Sequence, residues 1–183
     1  MTTAVSPDPA RLRVVFDRVE RLVEDRWQIP VRIADVPNPF TGDLDGEQIL
    51  VDHDLEVEDA LFILIHLFGH TVQWNVSERA RAIGFAKPRA TWTVEQLREV
   101  ADYEEEACSY SLQLLHDAGV HDLDQWVSDF AACDIAYLMH FYKTGEKLPF
   151  REFWQANAPL VPPRPIPPFQ PTRWLSRYDG TVV

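Results

Sequence analysis

The hydrophobic pattern of the first part of the chain predicts one helix followed by two strands. From Pro9 the apolar residues recur every three or four positions with charges between them, which is typical of an amphipathic helix, and Pro30 ends the pattern. Two short β-like runs follow, VRIADV at 31–36 and EQILVDH at 47–53. The stretch between them is rich in turn residues, so we expect a loop there.

The remainder of the chain is dominated by helical patterns. The segment at about 57–75 is apolar on nearly every face and should lie at the centre of the fold. A short helix capped by Ser77 is predicted next. A capping box at Thr93–Gln96 begins a long helix, and a last helix is predicted at about 122–143. This order of elements predicts an α+β fold that is mostly helical and has a small β-sheet.

A proline-rich segment divides the chain. Seven prolines lie between 159 and 171, so this segment cannot be helical and should be extended. We predict a single domain over residues 1–157 and a proline-rich tail over 158–183 that packs on the domain or extends from it. Interleaved aromatic residues favour packing along the surface over recruitment of a proline-recognising partner.

Composition and charge argue against several classes of partner. The 183 residues fit one domain, and 29 acidic against 17 basic residues give a net charge of −12. We therefore expect neither direct binding of nucleic acid nor binding to an anionic membrane. Cys108 and Cys133 lie in helical patterns and form no CxxC pair, and the N-terminus shows no secretion pattern. These features predict a cytoplasmic protein with reduced cysteines.

The most apolar predicted helix contains two histidines. The stretch LFILIHLFGHTVQW places His66 and His70 four residues apart, and residues at this spacing share one helix face. Two imidazoles placed in this way can reach one metal ion, but a third ligand, usually His, Asp or Glu, has to come from elsewhere. A pair of hydrogen-bonded core histidines is the alternative interpretation.

The third ligand is predicted on the long helix that follows Thr93. The inward-facing stripe of that helix is apolar or small at every position except Glu104. An ionised carboxylate among apolar side chains is costly unless it is paired, protonated or bound to a metal. An ion held by His66, His70 and Glu104 removes that cost and uses both histidines. The predicted ion is divalent, with zinc favoured and iron as the alternative.

Two longer segments that contain these residues resemble a known family. They are GEQILVDHDLEVEDALFILIHLFGHTVQW and ADYEEEACSYSLQLL, and together they resemble the ImmA/IrrE-type metallopeptidases. In that family a strand leads into a helix bearing HExxH, and a later helix carries a pattern like E-x-E-A-x-x-[FY]-x-x-x-L-L. The resemblance covers about residues 10–118. It implies a zincin-like minimal domain with a central, buried metal-site helix, in which His66, His70 and Glu104 take the three ligand positions.

Leu67 is the main departure from the family pattern, because the family has a general-base glutamate at that position. Loss of a general base typically lowers a reaction rate by about 10²–10⁴. We therefore expect the metal site to remain and ordinary peptidase activity to be lost. Because members of the family often work beside DNA-binding repressors, the resemblance implies a protein partner, such as a regulator, or otherwise a small substrate.

Six further residues are candidates for the surroundings of the metal or its pocket. Each also has a plainer interpretation, such as a packed core side chain or an acidic residue in the first turn of a helix. One of them could orient an imidazole, one could supply a fourth, thiolate ligand, and one could approach the metal from the last helix. They are Asp59, Leu67, Trp74, Cys108, Tyr137 and His140.

Three other functions are consistent with the same residues. Two histidines and a carboxylate also form the facial triad of non-haem iron(II) oxygenases, and the apolar Leu67 would suit oxygen chemistry. A hydrolase with a displaced base is the second alternative, with Asp59, His140 or a metal-activated water alone in that role. A structural helical domain without metal is the third.

Overall fold

The structure is a computed structural model that describes residues 7–37, 40–86 and 91–174. Long helices and one small sheet form this part of the chain. The predicted α+β fold, mostly helical with a small sheet, is confirmed. In chain order the elements are α1 (Pro9–Trp27), β1 (Val31–Ala34), β2 (Gly42–Leu44), β3 (Ile49–Asp52), α2 (Val57–Val76), α3 (Glu78–Gly84), α4 (Val94–Asp117), α5 (Asp124–Thr144) and a 3₁₀ turn (Phe150–Phe153).

The sheet has β3 at its centre. β1 pairs with β3 in parallel and β2 pairs with it antiparallel, which gives the order β1-β3-β2. β2 lies in the stretch that we predicted to be a loop, because three residues that include a glycine are too few to show strand alternation. A Cβ at Gly42 would lie 2.7 Å from the side chain of Ile63, so glycine lets this strand approach α2 closely.

α2 is the central helix, as predicted. Every residue from Leu64 to Trp74 is buried, and the helix packs against α1, α4 and the sheet. An all-round apolar helix is stable only in such surroundings. Among the described residues, no helix is long and apolar enough to cross a membrane.

The contact between α2 and α4 is very close at one point. A Cβ added to Gly69 of α2 would lie 2.2 Å from the carbonyl oxygen of Ala107 on α4. One turn away on each helix, the Ser111 hydroxyl donates to the carbonyl of Ile65 at 2.9 Å. This contact fixes the position of α4 relative to the two histidines of α2.

The ends of the helices follow their sequence signals. The Thr93 hydroxyl accepts from the Gln96 backbone N–H at 3.2 Å, and the Gln96 side chain accepts from the Thr93 N–H at 3.0 Å. This reciprocal pair confirms the predicted capping box at the start of α4. Ser77 likewise caps α3, as predicted, since its side chain accepts from the N–H of Ala80.

Residues 158–174 are extended and run along the surface of the helices. The Ala158 N–H donates to Asp129 on α5 at 2.8 Å, and the Thr172 N–H donates to Asn75 on α2 at 2.9 Å. The Phe169 ring stacks on Trp27 at the end of α1. The segment thus contacts helices from both ends of the chain, while the predicted tail beyond residue 174 lies outside the described residues.

Candidate metal centre

Three ligand atoms from two helices converge at one buried point. Nε2 of His70 lies 3.0 Å from Nε2 of His66 and 3.0 Å from Oε2 of Glu104. Nε2 of His66 lies 3.2 Å from the same oxygen, and all three side chains are buried. Ligand atoms around a tetrahedral zinc ion, with bonds of about 2.0–2.1 Å, are separated by about 3.3 Å. The predicted triad is therefore placed so that it could hold one metal ion.

Glu104 provides a second indication of an ion. Burial raises the pKa of its carboxyl, but the neighbouring His70 and His66 outweigh burial and lower that pKa, so the group is ionised. Its Oε1 is buried and has no hydrogen-bond partner among the described residues. A buried carboxylate oxygen without a partner is costly, and coordination to a cation would satisfy it.

Gln73 fixes the protonation pattern of His70. The Gln73 amide nitrogen donates to the Tyr103 carbonyl at 2.9 Å and to Glu106 at 2.8 Å. Its amide oxygen therefore faces the Nδ1 of His70, at 2.9 Å, and accepts the N–H of that ring. With Nδ1–H held by Gln73, Nε2 is the nitrogen that His70 can offer to a metal ion, an arrangement common around metal-binding histidines. The sequence analysis did not identify this role.

Removing this support gives a direct prediction. In Gln73→Leu the tautomer of His70 is no longer fixed, so zinc affinity should fall by about 10- to 100-fold, the usual effect of losing such a partner. Competition with a chromophoric chelator measures the affinity. Gln113→Leu is the matched control, since Gln113 on α4 donates to Asp117 instead. Unchanged affinity in a folded Gln73→Leu protein would show that Gln73 does not orient the ligand.

Cys108 contacts the opposite nitrogen of His66. Its Sγ lies 3.6 Å from Nδ1, whereas the Nε2 of His66 faces the other two ligand atoms. A fourth, thiolate ligand at Cys108 is therefore not the observed geometry. Burial raises the pKa of the Cys108 thiol, so the sulfur stays protonated. Cys108 is therefore placed to contact the His66 ring at Nδ1 without being one of the three ligands.

The pKa of His66 shows what the cluster does without an ion. Burial alone lowers the pKa of the imidazole, but contacts with Cys108 and Glu104 and the charge of Asp134 together raise it well above its usual value. Without a metal ion, the His66 ring therefore carries a second proton and is positively charged. Metal binding has to displace this proton.

Asp134 on α5 is a further carboxylate at the centre, and the sequence analysis missed it. Its Oδ2 lies 3.7 Å from Nε2 of His66. It does not belong to the set of ligand atoms that lie within 4.8 Å of one another. A signal was present, because Asp134 falls four residues after Phe130 and three before Tyr137, in the inward stripe of the last helix.

A cleft of about 390 Å³ opens onto the triad, with His66 and Glu104 in its wall. Leu67 also lines it, and so do Asp134 and Tyr137. The remaining wall is largely apolar and includes Phe62, Ile63, Phe130, Leu138 and Phe150. A cleft of this size and character is typical of a site for a small molecule or a side chain.

Asp59 lines the cleft, but its charge is used elsewhere. Its carboxylate accepts from the Arg151 guanidinium at 2.7 Å. Among the described contacts of Asp59, none is a hydrogen bond to either imidazole. Arg151 also lines the cleft, so this carboxylate is paired within it, and an orienting role for Asp59 stays a prediction.

Trp74 and His140 lie away from the cleft. The Trp74 indole N–H donates to the Tyr103 hydroxyl at 2.8 Å in the core. The His140 ring packs against Phe153, and its Nε2 lies 4.0 Å from Glu146. Neither residue is among those that line the cleft. Helical periodicity places a residue on an inward face but does not show which part of the core that face contacts.

Comparison of the chain with protein-family models, with curated proteins and with solved structures returned no match. The fold and the site therefore define the class of protein. It is a mostly helical α+β protein with a buried cluster of two histidines and one glutamate at an apolar cleft.

Proposed function

We propose that this protein is a zincin-like metal-binding protein, similar in design to the ImmA/IrrE-type metallopeptidases, that lacks ordinary peptidase activity. The ion is divalent, zinc in preference to iron, and its ligands are His66, His70 and Glu104. The convergence of these three buried ligand atoms within 3.0–3.2 Å carries the proposal. The partnerless oxygen of Glu104 and the fixed tautomer of His70 support it.

Leu67 supports the loss of peptidase activity. Its side chain lines the cleft beside His66, and it approaches β2 so closely that a Cβ at Gly42 would lie 2.8 Å from it. An apolar side chain at this place cannot accept a proton from a water molecule. The ion would still act as a Lewis acid or as a binding group.

The cleft supports action through a bound partner. Its apolar wall is suited to an apolar side chain of a protein partner, such as a regulator, or to a small substrate. The net charge of −12 makes nucleic acid an unfavourable direct ligand. The two buried free cysteines are consistent with a reducing, cytoplasmic location.

The contacts of Asp59 and His140 give less support to the displaced-base alternative. Asp59 is held by Arg151, and His140 lies outside the cleft. The iron oxygenase alternative needs the same triad, so the identity of the bound ion separates it from the proposal.

Metal analysis and thermal unfolding test the proposal together. Protein purified without chelators should contain about one equivalent of zinc, and zinc at 100 times its Kd should stabilise the metal-free protein by about 2.7 kcal/mol. For a chain of this size, that corresponds to an increase in Tm of about 5–11 °C. His53→Ala is the control, because Asp52, His53 and Asp54 form the other group of possible ligands among the described residues.

Each outcome of that experiment has a clear meaning. Zinc content and the Tm shift should be unchanged in His53→Ala and lost in His66→Ala. Protein that neither contains zinc or iron nor takes up either would overturn the proposal and leave a structural domain. Preferential retention of iron, with reactivity toward oxygen, would support the oxygenase alternative instead.

A further inference from the structure

We infer that Glu106 and Arg164 are positioning residues of the metal centre and that they act through Gln73. They hold the Gln73 amide in the orientation that His70 requires. Arg164 belongs to the extended segment at 158–174, so this segment takes part in metal binding without supplying a ligand. The inference rests on the proposed metal site and deepens it.

A continuous series of contacts leads from His70 to Arg164. Nδ1 of His70 lies 2.9 Å from the amide oxygen of Gln73, and the amide nitrogen of Gln73 donates to Oε2 of Glu106 at 2.8 Å. The other oxygen of that carboxylate, Oε1, accepts from the Arg164 guanidinium. Each group uses a different atom for each of its neighbours, so all of these contacts can be made at the same time.

Two acceptors on α4 decide which way the Gln73 amide points. Its nitrogen donates to the Tyr103 carbonyl at 2.9 Å and to the Glu106 carboxylate at 2.8 Å. A flipped amide would place its oxygen against both acceptors and present its N–H groups to Nδ1 of His70. The carboxylate is the stronger of the two acceptors because it is charged. Without Glu106, only one carbonyl would oppose the flipped orientation.

Arg164 holds the Glu106 carboxylate in place. The Glu106 side chain is 29% exposed, so without a partner on Oε1 the carboxylate could turn toward water. Arg164 is itself fixed on α4, because its backbone N–H donates to the Ser109 carbonyl at 3.2 Å and its guanidinium lies 5.5 Å from the centre of the Tyr110 ring. The prolines on both sides of Arg164 restrict its backbone further. The guanidinium therefore contacts the carboxylate with little loss of conformational entropy.

Positioning and simple electrostatics predict opposite effects for Arg164→Gln. Loss of a nearby positive charge alone would strengthen the binding of a metal cation. Loss of positioning should instead lower zinc affinity by about three- to tenfold, less than for Gln73→Leu, because Arg164 acts from further away. The Arg164 side chain is 55% exposed, and an exposed ion pair contributes little to stability. The Tm of the metal-free protein should therefore change by at most about 4 °C.

A double-mutant cycle with Gln73→Leu tests whether Arg164 acts through the amide. Zinc affinity of the full chain is measured by competition with a chromophoric chelator for Arg164→Gln, Gln73→Leu and the double variant. In the Gln73→Leu background, Arg164→Gln should change the affinity by no more than about twofold. Glu106→Leu should lower it by about tenfold in the wild-type chain and be equally without effect in that background. Arg164→Lys should retain the wild-type affinity, because an ammonium can also donate to one carboxylate oxygen.

Arg173→Gln is the matched control. Arg173 lies in the same extended segment, but its guanidinium is paired with Asp45 at 3.5 Å, and its loss should leave zinc affinity unchanged. Unchanged or higher affinity in Arg164→Gln would overturn the inference and leave the metal site intact. An equal loss with and without Gln73 would also overturn it, because the effect would then bypass the amide, and so would full affinity in Gln73→Leu. Failure of the wild type to bind zinc would instead reject the proposed function.

Discussion

Glu104→Gln should weaken zinc binding by more than about 100-fold, beyond the usual effect of losing an outer hydrogen-bond partner. The substitution keeps the shape of the side chain and removes its charge and its best ligand oxygen. The remaining His66 and His70 form a two-nitrogen site, and neutral imidazoles alone do not balance the charge of the ion. Zinc content after dialysis and competition with a chelator measure the loss.

Glu105→Gln is the matched control for this prediction. Glu105 is the next residue of α4, and its side chain is exposed. The substitution therefore removes the same charge at a position outside the triad. The control should bind zinc like the wild type. Stoichiometric zinc in a folded Glu104→Gln protein would mean that another group is the third ligand, with Asp134 as the nearest carboxylate to His66 after Glu104.

Gly69→Ala should lower the free energy of unfolding by more than about 3 kcal/mol, at or beyond the upper end of ordinary overpacking. The added Cβ would meet the backbone oxygen of Ala107 at 2.2 Å. A backbone atom cannot relieve a clash by changing rotamer as a side chain can, so α2 and α4 must move apart. Separation moves Glu104 away from His66 and His70, and zinc affinity should fall with stability. Urea unfolding measures the first effect and zinc titration the second.

A second glycine distinguishes this steric effect from a general cost of replacing glycine. At Gly145, after α5, a Cβ would meet nothing within 4 Å, but the residue has a φ of 72°. Gly145→Ala should therefore lose only about 1 kcal/mol, from the left-handed backbone, and keep full zinc binding. Equal losses in the two variants would show that the contact of α2 with α4 is not the cause.

The triad could be predicted from sequence because its signals are local. His66 and His70 share a helix face by spacing alone, and Glu104 stands out as the acidic residue of an apolar stripe. Whether the two faces meet is a tertiary question. The structure answers it through Gly69, which lets the two helices touch.

The surroundings of the triad could not be predicted in the same way. The role of Gln73 depends on where its amide finds acceptors, and these acceptors lie about 30 residues away on α4. Asp134 was readable as a polar residue in an inward stripe, but its approach to His66 depends on how α5 crosses α2. Trp74 shows the converse case, since it follows His70 closely in sequence and yet points into a different part of the core.

The extended segment at 158–174 has a consequence for the order of folding. Both helices of the triad are complete in the chain by Asp117, and the contact of His70 with Glu104 spans only 34 residues. By contrast, the hydrogen bond of Thr172 to Asn75 spans 97 residues. Contacts of long sequence separation form late, because a larger loop has to be closed first. A nascent chain could thus bring His66, His70 and Glu104 together before residues 158–174 are made, and that segment would pack against α1, α2 and α5 at a later step.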